Sequence, residues 1–439
     1  MRHRIVLLAI AALGSAMAQS VDYQGPTIMS RGLGSRLQGG GDLIRIRPYL
    51  SLMGRYDSGL TSVSVDSQGR IGQEDLYGGE AQFGALGYHR WRRSLLGIDY
   101  RGNVRHYTRN SYYDGSDHSL SLGFTHQPTR RLAFTLREAA GTYSRSYGEY
   151  GSYTYFDPSF ADVPANDMFD GRTNYASTMG DLTFMKSQRL SFNIGGSGLV
   201  VRRRSRSLIG VTGWNTRGDV QYRLGRTTAV GGDYGFRHFE FTNAFGASDI
   251  HTAAVNLAFR LGRSWDLRLR GGGARVETLG LQRVAVDPIV AAIIGRSTGI
   301  EVLYRTNYVP AGSAELARTF RKSSLSFSYG SGVSPGNGIY LTSRSQDAAA
   351  SYSYTAARRW NFGVSANYGS YSSLSQTIGK YESYGGGGGI TCQINTWMHV
   401  VTRYDARRWE ARQTMHQRVW HSASLGIAFS PGEVPLSLW

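Results

Sequence analysis

The chain contains one cysteine, Cys392, among its 439 residues, which excludes a fold held by intrachain disulfides. Only three of its residues are lysines, so arginine supplies almost all of the positive charge. Beyond the N-terminus, no apolar run reaches the roughly 18 residues that a transmembrane helix needs. The longest candidate, residues 284–295, is interrupted by Asp287 and Pro288. The sequence therefore predicts no membrane-spanning helix.

Signals for catalysis are also scarce. The ten histidines are scattered, without an HExxH pattern or another cluster at metal-ligand spacing. No Gly-x-Ser-x-Gly turn joins a strand to a helix. The glycine run at residues 385–389 lacks the lysine and the following helix of a phosphate loop, and Cys392 is interpreted as a small apolar side chain. We predict no enzymatic activity, no catalytic residue, no metal and no cofactor.

The N-terminus has the features of a secretory signal. The basic stretch MRHR precedes a short apolar run, and small residues lead up to Ala18. We predict cleavage after Ala18. The alternative is an uncleaved anchor, which the short apolar run disfavours. Loss of Arg2 and Arg4 would leave 49 − 2 = 47 basic against 31 acidic residues. Export and the lack of a nucleic-acid motif argue against a nucleic-acid partner despite this charge.

A short unit recurs about eight times and is the strongest fold signal. Each copy is a tight, mostly basic turn followed by an alternating apolar strand, as in TRRLAFTL from Thr129, SQRLSFNI from Ser187 and ARRWNFGVS from Ala357. A second alternating stretch precedes each turn. Alternation with a period of two indicates a strand with one apolar and one polar face. Eight hairpins with a strand at each end predict an all-β, antiparallel sheet of about 18 strands.

The connections differ in length at the two ends of these strands. The recurring turns are short, whereas the opposite connections are long, notably residues 148–172, 281–299 and 332–343. This asymmetry is typical of outer-membrane β-barrels, with short periplasmic turns and long extracellular loops. A soluble β-sandwich or propeller is the alternative, and it offers no reason for the asymmetry. We predict a signal peptide at residues 1–18, a flexible Gly-rich segment at 19–42 and a single transmembrane barrel at 43–439.

The alternation assigns side chains to the two faces of the barrel. Aromatic residues near the short turns are predicted to form a lipid-facing girdle. These are Tyr88, Phe124, Phe134, Phe184, Phe192, Tyr222, Phe259, Phe327, Tyr354, Trp360, Phe362 and Phe429. The opposite face is predicted to line the lumen with arginines. These are Arg45, Arg47, Arg101, Arg105, Arg137, Arg217, Arg223, Arg237, Arg268, Arg270, Arg403 and Arg407.

Two interpretations of the lumen arginines stay open. Five aspartates, Asp99, Asp181, Asp219, Asp233 and Asp405, share their face, so the charges could form a self-satisfied ladder of ion pairs. Alternatively, a basic lining with Tyr and Arg side chains would favour anions, sugars and uronic acids. Residues 148–172 and the apolar stretch near Pro288 are either ordinary surface loops or segments that fold into the lumen.

The signal peptide, the alternating strands and the THQPTRRL-type hairpins resemble bacterial outer-membrane β-barrels, and more narrowly the β-barrel porin type 2 group. That resemblance implies an integral protein of the Gram-negative outer membrane, and for some members a role in exopolysaccharide export. We therefore expect a channel for polar or anionic solutes, with an exopolysaccharide port as its sharper version. Expected partners are outer-membrane lipid and lipopolysaccharide, the barrel-assembly machinery and periplasmic polysaccharide-export components. The alternatives are a plugged structural or adhesive barrel and a barrel enzyme acting on lipid.

Overall fold

A computed structural model shows a closed barrel of 18 antiparallel strands. Each strand pairs with its neighbours in the chain, and β18 pairs with β1. The sheet therefore closes into a barrel and has no free lateral edge over the height that all the strands share. This confirms the predicted fold class and strand number. The strands are β1 Arg45–Val65, β2 Ile71–Arg90, β3 Ser94–Tyr107, β4 Gly115–Thr129, β5 Leu132–Tyr143, β6 Thr173–Met185, β7 Leu190–Arg203, β8 Gly210–Arg223, β9 Thr228–Thr242, β10 Ala247–Leu261, β11 Trp265–Ala285, β12 Thr298–Thr319, β13 Ser323–Ser334, β14 Ser343–Tyr354, β15 Trp360–Ser373, β16 Tyr381–Gln393, β17 Met398–Ala411 and β18 His416–Phe429.

The structure describes residues 45–65, 71–143, 172–204, 208–262, 264–285, 297–334, 341–354, 359–374, 380–395, 397–411 and 416–429, together with Ile289 and Gly295. The predicted signal peptide, the Gly-rich segment and most of residues 148–172 and 286–296 lie outside this part of the chain. Among the described residues, no helix is long and apolar enough to cross a membrane.

The recurring short turns have a local physical cause. In several of them a side chain at the start of the turn accepts hydrogen bonds from backbone N–H groups two or three residues later. Thr129 Oγ1 accepts from the amide of Leu132 at 3.1 Å, Ser187 Oγ from that of Leu190 at 3.0 Å, and Asn395 Oδ1 from that of Met398 at 2.8 Å. Such turns satisfy backbone donors locally and reverse the chain tightly. We call this end of the barrel the turn end, and the opposite end the loop end.

The apolar face of a strand changes side along its length. In β9, Val230, Tyr234 and Phe236 point outward, whereas Phe239 and Phe241, nearer the loop end, point inward and are buried. β7 repeats this, with outward Phe192 and Ile194 and inward Leu199 and Val201. The barrel therefore has an apolar exterior toward the turn end and an apolar interior toward the loop end.

Candidate functional site

The barrel interior toward the turn end is a belt of ion pairs. Arg101 Nη2 lies 2.6 Å from Asp99 Oδ2, and nearer the loop end of the same strand Arg105 Nη2 lies 2.9 Å from Asp117 Oδ2. Four strands away, on β17, Arg403 Nε lies 2.5 Å from Asp405 Oδ2. Each of these arginines has a carboxylate on its own strand or the next one. The belt is consequently much closer to neutral than the arginines alone suggest.

The same pattern continues on β9 to β12. Arg270 donates two hydrogen bonds to the Asp233 carboxylate, from Nη2 at 2.6 Å and from Nε at 3.2 Å, in a bidentate contact. Asn256 Nδ2 donates to the same carboxylate at 2.6 Å. On the same strand as Arg270, Arg268 has its Nη1 atom 2.9 Å from Oε2 of Glu315, which belongs to β12. This network holds the side chains in place along the inner wall.

The predicted lumen arginines divide into three groups. Six have a carboxylate partner, namely Arg101, Arg105, Arg217, Arg268, Arg270 and Arg403. Arg237 donates to the carbonyl oxygen of Val333 at 3.4 Å, and Arg137, Arg223 and Arg407 occupy the inward parity of their strands with contacts of their own. Arg45 and Arg47 belong to β1, but their side chains lie outside the described part of the chain.

Five further acids share the inner face and were not identified from the sequence. They are Asp57, Glu80, Asp117, Glu315 and Asp347. Arg55, which the sequence analysis also left out, is buried between two of them, with Nε 2.6 Å from Asp57 and Nη1 2.8 Å from Glu80. These acids lie on the same alternation as the arginines, so the strand register of β1, β2, β4, β12 and β14 is the signal that would have found them.

Glycines provide room for this belt. The ideal Cβ position at Gly195 falls on the Asp181 carboxylate, which pairs with Arg217, and that at Gly387 falls on the Asp405 carboxylate. A larger side chain at either position would displace the ion pair. The glycine run at residues 385–389 therefore serves to let charged side chains of β17 and the amide of Asn367 lie flat across β16.

Toward the loop end the interior is apolar rather than polar. One cluster of inward side chains spans β8 to β12, including Val211, Phe239, Ile250, Val276 and Val309. A second cluster joins β1 to β3 with β16 to β18 and is dominated by aromatic rings. Its buried members are Leu60, Leu76, Tyr107, Tyr113, Tyr381, Trp409 and Trp420. The inner face at this end is therefore a packed core and not a continuation of the ion-pair belt.

The described residues at the two ends of the β13–β14 connection pack inside the barrel against the first cluster. Val333 is fully buried and Leu341 is 6% exposed, both among inward side chains of β8 to β12. The hydroxyl groups of Thr342 and Ser248 are hydrogen bonded across 94 residues of sequence. Arg237 holds the Val333 carbonyl from the wall. The residues that flank this connection are therefore held against the inner wall near the loop end.

The connection from β3 to β4 also turns inward. It contains a short 3-10 turn, Ser111–Tyr113, whose Tyr113 packs edge-on against Tyr107 at a centroid distance of 6.3 Å. Tyr107 in turn donates its hydroxyl to Asp57 at 2.6 Å. The aromatic cluster is therefore anchored to the buried charges of β1 and β2.

Eleven of the twelve predicted girdle aromatics occupy outward positions in the register. Phe184 faces Phe192, Leu132 faces Phe184, and Tyr354 faces Phe362 with ring centroids 4.9 Å apart. Tyr88 is the exception, because it lies directly opposite Arg45 and opposed residues share a face. The two predictions, Tyr88 in the lipid-facing girdle and Arg45 in the lumen, therefore cannot both be true. The side chains of both lie outside the described part.

Residues that could hold a metal are missing from the described interior. No group of three or more His, Cys, Asp or Glu side chains among the described residues has the geometry of a metal site. Cys392 is partly buried on the outward parity of β16, opposite Trp360. The interior thus offers ion pairs, amides, hydroxyls and aromatic rings.

Solved structures of other barrels align over most of the chain. Pseudomonas aeruginosa OccK2 (OpdF), in complex with glucuronate, aligns at 12% identity and a TM-score of 0.42, covering 91% of this chain and all (100%) of that one. A BenF-like porin from Pseudomonas fluorescens Pf-5 aligns at 10% identity and a TM-score of 0.42, over 89% and 100%. The FrpB iron transporter from Neisseria meningitidis aligns at 10% and 0.43, over 87% and 81%. No protein-family model matches the sequence, and no curated protein matches it. Values this low carry no argument about function.

Proposed function

We propose that this protein is a channel of the Gram-negative outer membrane for small polar solutes. The observation that carries the proposal is a closed 18-strand barrel with an apolar exterior and a charged, hydrogen-bonded interior toward the turn end. Barrels of 16 to 18 strands are wide enough for an aqueous path. The apolar exterior suits lipid, and the aromatic residues beside the short turns suit the periplasmic interface.

The paired interior supports polar solutes more directly than anions. Because acids accompany most of the described lumen arginines, we expect only a modest preference for anions. An exopolysaccharide port is a more specific hypothesis, supported by the charged and amide side chains of the inner wall, which suit a polar sugar chain. Under it, periplasmic polysaccharide-export components would be partners, in addition to lipopolysaccharide and the barrel-assembly machinery that any such barrel needs.

The test is conductance of the purified protein in a planar bilayer. The channel proposal predicts discrete current steps, a weak selectivity between K⁺ and Cl⁻, and partial block by added oligosaccharide if the port hypothesis holds. Membrane fractionation with heat-modifiable gel mobility should place the protein in the outer membrane. Absence of any current from correctly folded protein would refute the channel.

A plugged structural barrel is the second candidate, favoured by one observation. The flanks of the β13–β14 connection and the aromatic cluster both pack inside the barrel at the loop end. If they close it fully, the protein conducts no ions, and removal of the plug should create conductance. Recordings on variants of this connection therefore separate the two functions.

A further inference from the structure

One long stretch of β12 has a free edge. β12 pairs with β11 from Thr298 to Arg318, but β13 covers only Gly312–Thr319. In the part of the chain that the structure describes, no strand pairs with the other edge of residues 298–311. β13 stays paired with β14 as far as Ser334, but its pairing with β12 ends at Ser331. Beyond Leu279 and Tyr304, where β10 ends, β11 and β12 project as a two-stranded hairpin.

The free stretch has an unprotected apolar stripe. Ile300 is 72% exposed, Val302 56%, Tyr304 63% and Tyr308 79%, and all four share the outward parity of β12. Proteins usually protect such edges with proline, lysine or a bulge, because the unpaired backbone groups recruit another strand. Here the only proline is Pro310, at the base of the stretch. This combination is typical of a surface that accepts a partner strand.

The stripe lies beyond the apolar band of the barrel. Tyr304 is opposite Leu279, which is 14 residues along β11 from Trp265. A rise of about 3.4 Å per residue and a strand tilt of about 40° put that position roughly 36 Å above the turn end, against an apolar band of about 25 Å. The upper part of the free edge, around Leu303 and Tyr304, would therefore stand clear of the lipid, on the extracellular side.

We propose that the free edge of β12 pairs antiparallel with the same edge of a second copy of this chain. The sequence is self-complementary about Leu303, since residues whose numbers sum to 606 would face each other. In this register Glu301 of each copy meets Arg305 of the other, and Val302 meets Tyr304. Glu301 and Arg305 are both exposed and have no ion-pair partner among the described residues. Opposed charges and aromatic–β-branched pairs are both favourable across antiparallel strands.

The register fixes how the two barrels stand. In two copies within one membrane, related by a twofold axis along the membrane normal, both β12 strands would run from the extracellular side toward the periplasm. Two upright strands that run in the same direction cannot form an antiparallel pair. Copies that face each other from two opposed membranes run β12 in opposite senses. The pairing therefore joins surfaces head to head, as a contact between cells or vesicles, and is independent of whether the barrel conducts.

A charge-swap series tests the register. In detergent, wild-type protein should self-associate, and E301R or R305E alone should weaken this about tenfold or more, because like charges then oppose each other twice. The double variant E301R/R305E should restore association, and so should an equal mixture of the two single variants. E240R, which changes an exposed acid of β9 at the same end, is the matched control and should behave as wild type. Sedimentation velocity measures all six samples.

Two further measurements check the geometry. With Cys392 replaced by Ala, L303C should form an intermolecular disulfide, since facing residues of an antiparallel pair have Cα atoms close enough for one. Proteoliposomes carrying wild-type protein should tether one another, and those carrying E301R should not. Monomeric wild-type protein, or single variants that associate as wild type does, would overturn the proposal. Dimers in detergent that fail to tether vesicles would overturn the head-to-head arrangement. Planar-bilayer conductance should be unchanged by E301R in every case.

Discussion

Replacement of Leu341 by alanine should release the β13–β14 connection from the inner wall. The Leu341 side chain is 6% exposed and packs in the cluster that includes Val211, Ile250 and Val276. Truncating a buried leucine to alanine costs about 2–5 kcal/mol, according to how far the site can collapse. The remaining anchors are Val333 and the hydrogen bond between Thr342 and Ser248, which contributes about 1 kcal/mol.

The expected consequence is a change of gating. A loss of about 2 kcal/mol, the lower limit, increases the ratio of released to docked connection roughly 30-fold. If the docked connection narrows the solute path, L341A should show more frequent or larger open steps in single-channel recordings at constant voltage. A fully plugged wild-type barrel would make the contrast larger, because the variant would conduct where the wild type does not.

Leu199 provides the matched control. It is 4% exposed on the inward face of β7, in a separate cluster with Tyr143 and Tyr175, and belongs to the wall rather than to a connection. L199A should lower stability by a similar amount, measured as a lower temperature of the heat-modifiable gel shift, and leave conductance unchanged. A folded L341A variant with wild-type conductance and gating would show that the inward connection does not narrow the path.

The strand number follows from the sequence because its signals are local. Several short turns contain their own hydrogen-bonding side chain, as at Thr129 and Ser187, so these hairpins can be recognised within a few residues. In the strand register, the described lumen arginines and eleven of the girdle aromatics fall on opposite parities, and their assignment to lumen and lipid stays a prediction. Tyr88 was misread relative to Arg45 because the register of β1 with β2 is set by pairing between strands and not by either strand alone.

The loop end could not be derived in the same way. Its interior depends on contacts between distant residues, such as Ser248 with Thr342 or Arg237 with Val333. The sequence does contain one local signal of the apolar interior, because the apolar residues of β9 change parity between Phe236 and Phe239. Such a change marks the height at which a strand's exterior stops being apolar and its interior becomes a packed core.

The remaining predictions test the exterior, the loop end and the interior. F327R should lower the stability of lipid-embedded barrel by about 2–4 kcal/mol near mid-bilayer, measured by denaturant unfolding, whereas S326R on the inward face should cost less. Hydrogen bonds from the Ser58 side chain and from the Gly59 amide, at 3.1 Å, lower the pKa of Asp75 at the loop end. The stabilising contribution of Asp75 is therefore present above the pKa that it has in the unfolded chain, and it is lost as the pH falls through its pKa in the folded protein. The free energy of unfolding of D75N should consequently fall less steeply at acid pH than that of wild type. Finally, R270S leaves Asp233 without its bidentate partner and should shift the reversal potential in a salt gradient toward cation selectivity, while D233N removes the negative charge beside Arg270 and should shift it toward anions. Both shifts should shrink in 1 M salt, where the Debye length is about 3 Å. Equal reversal potentials for the two variants would mean that this ion pair does not face the solute path.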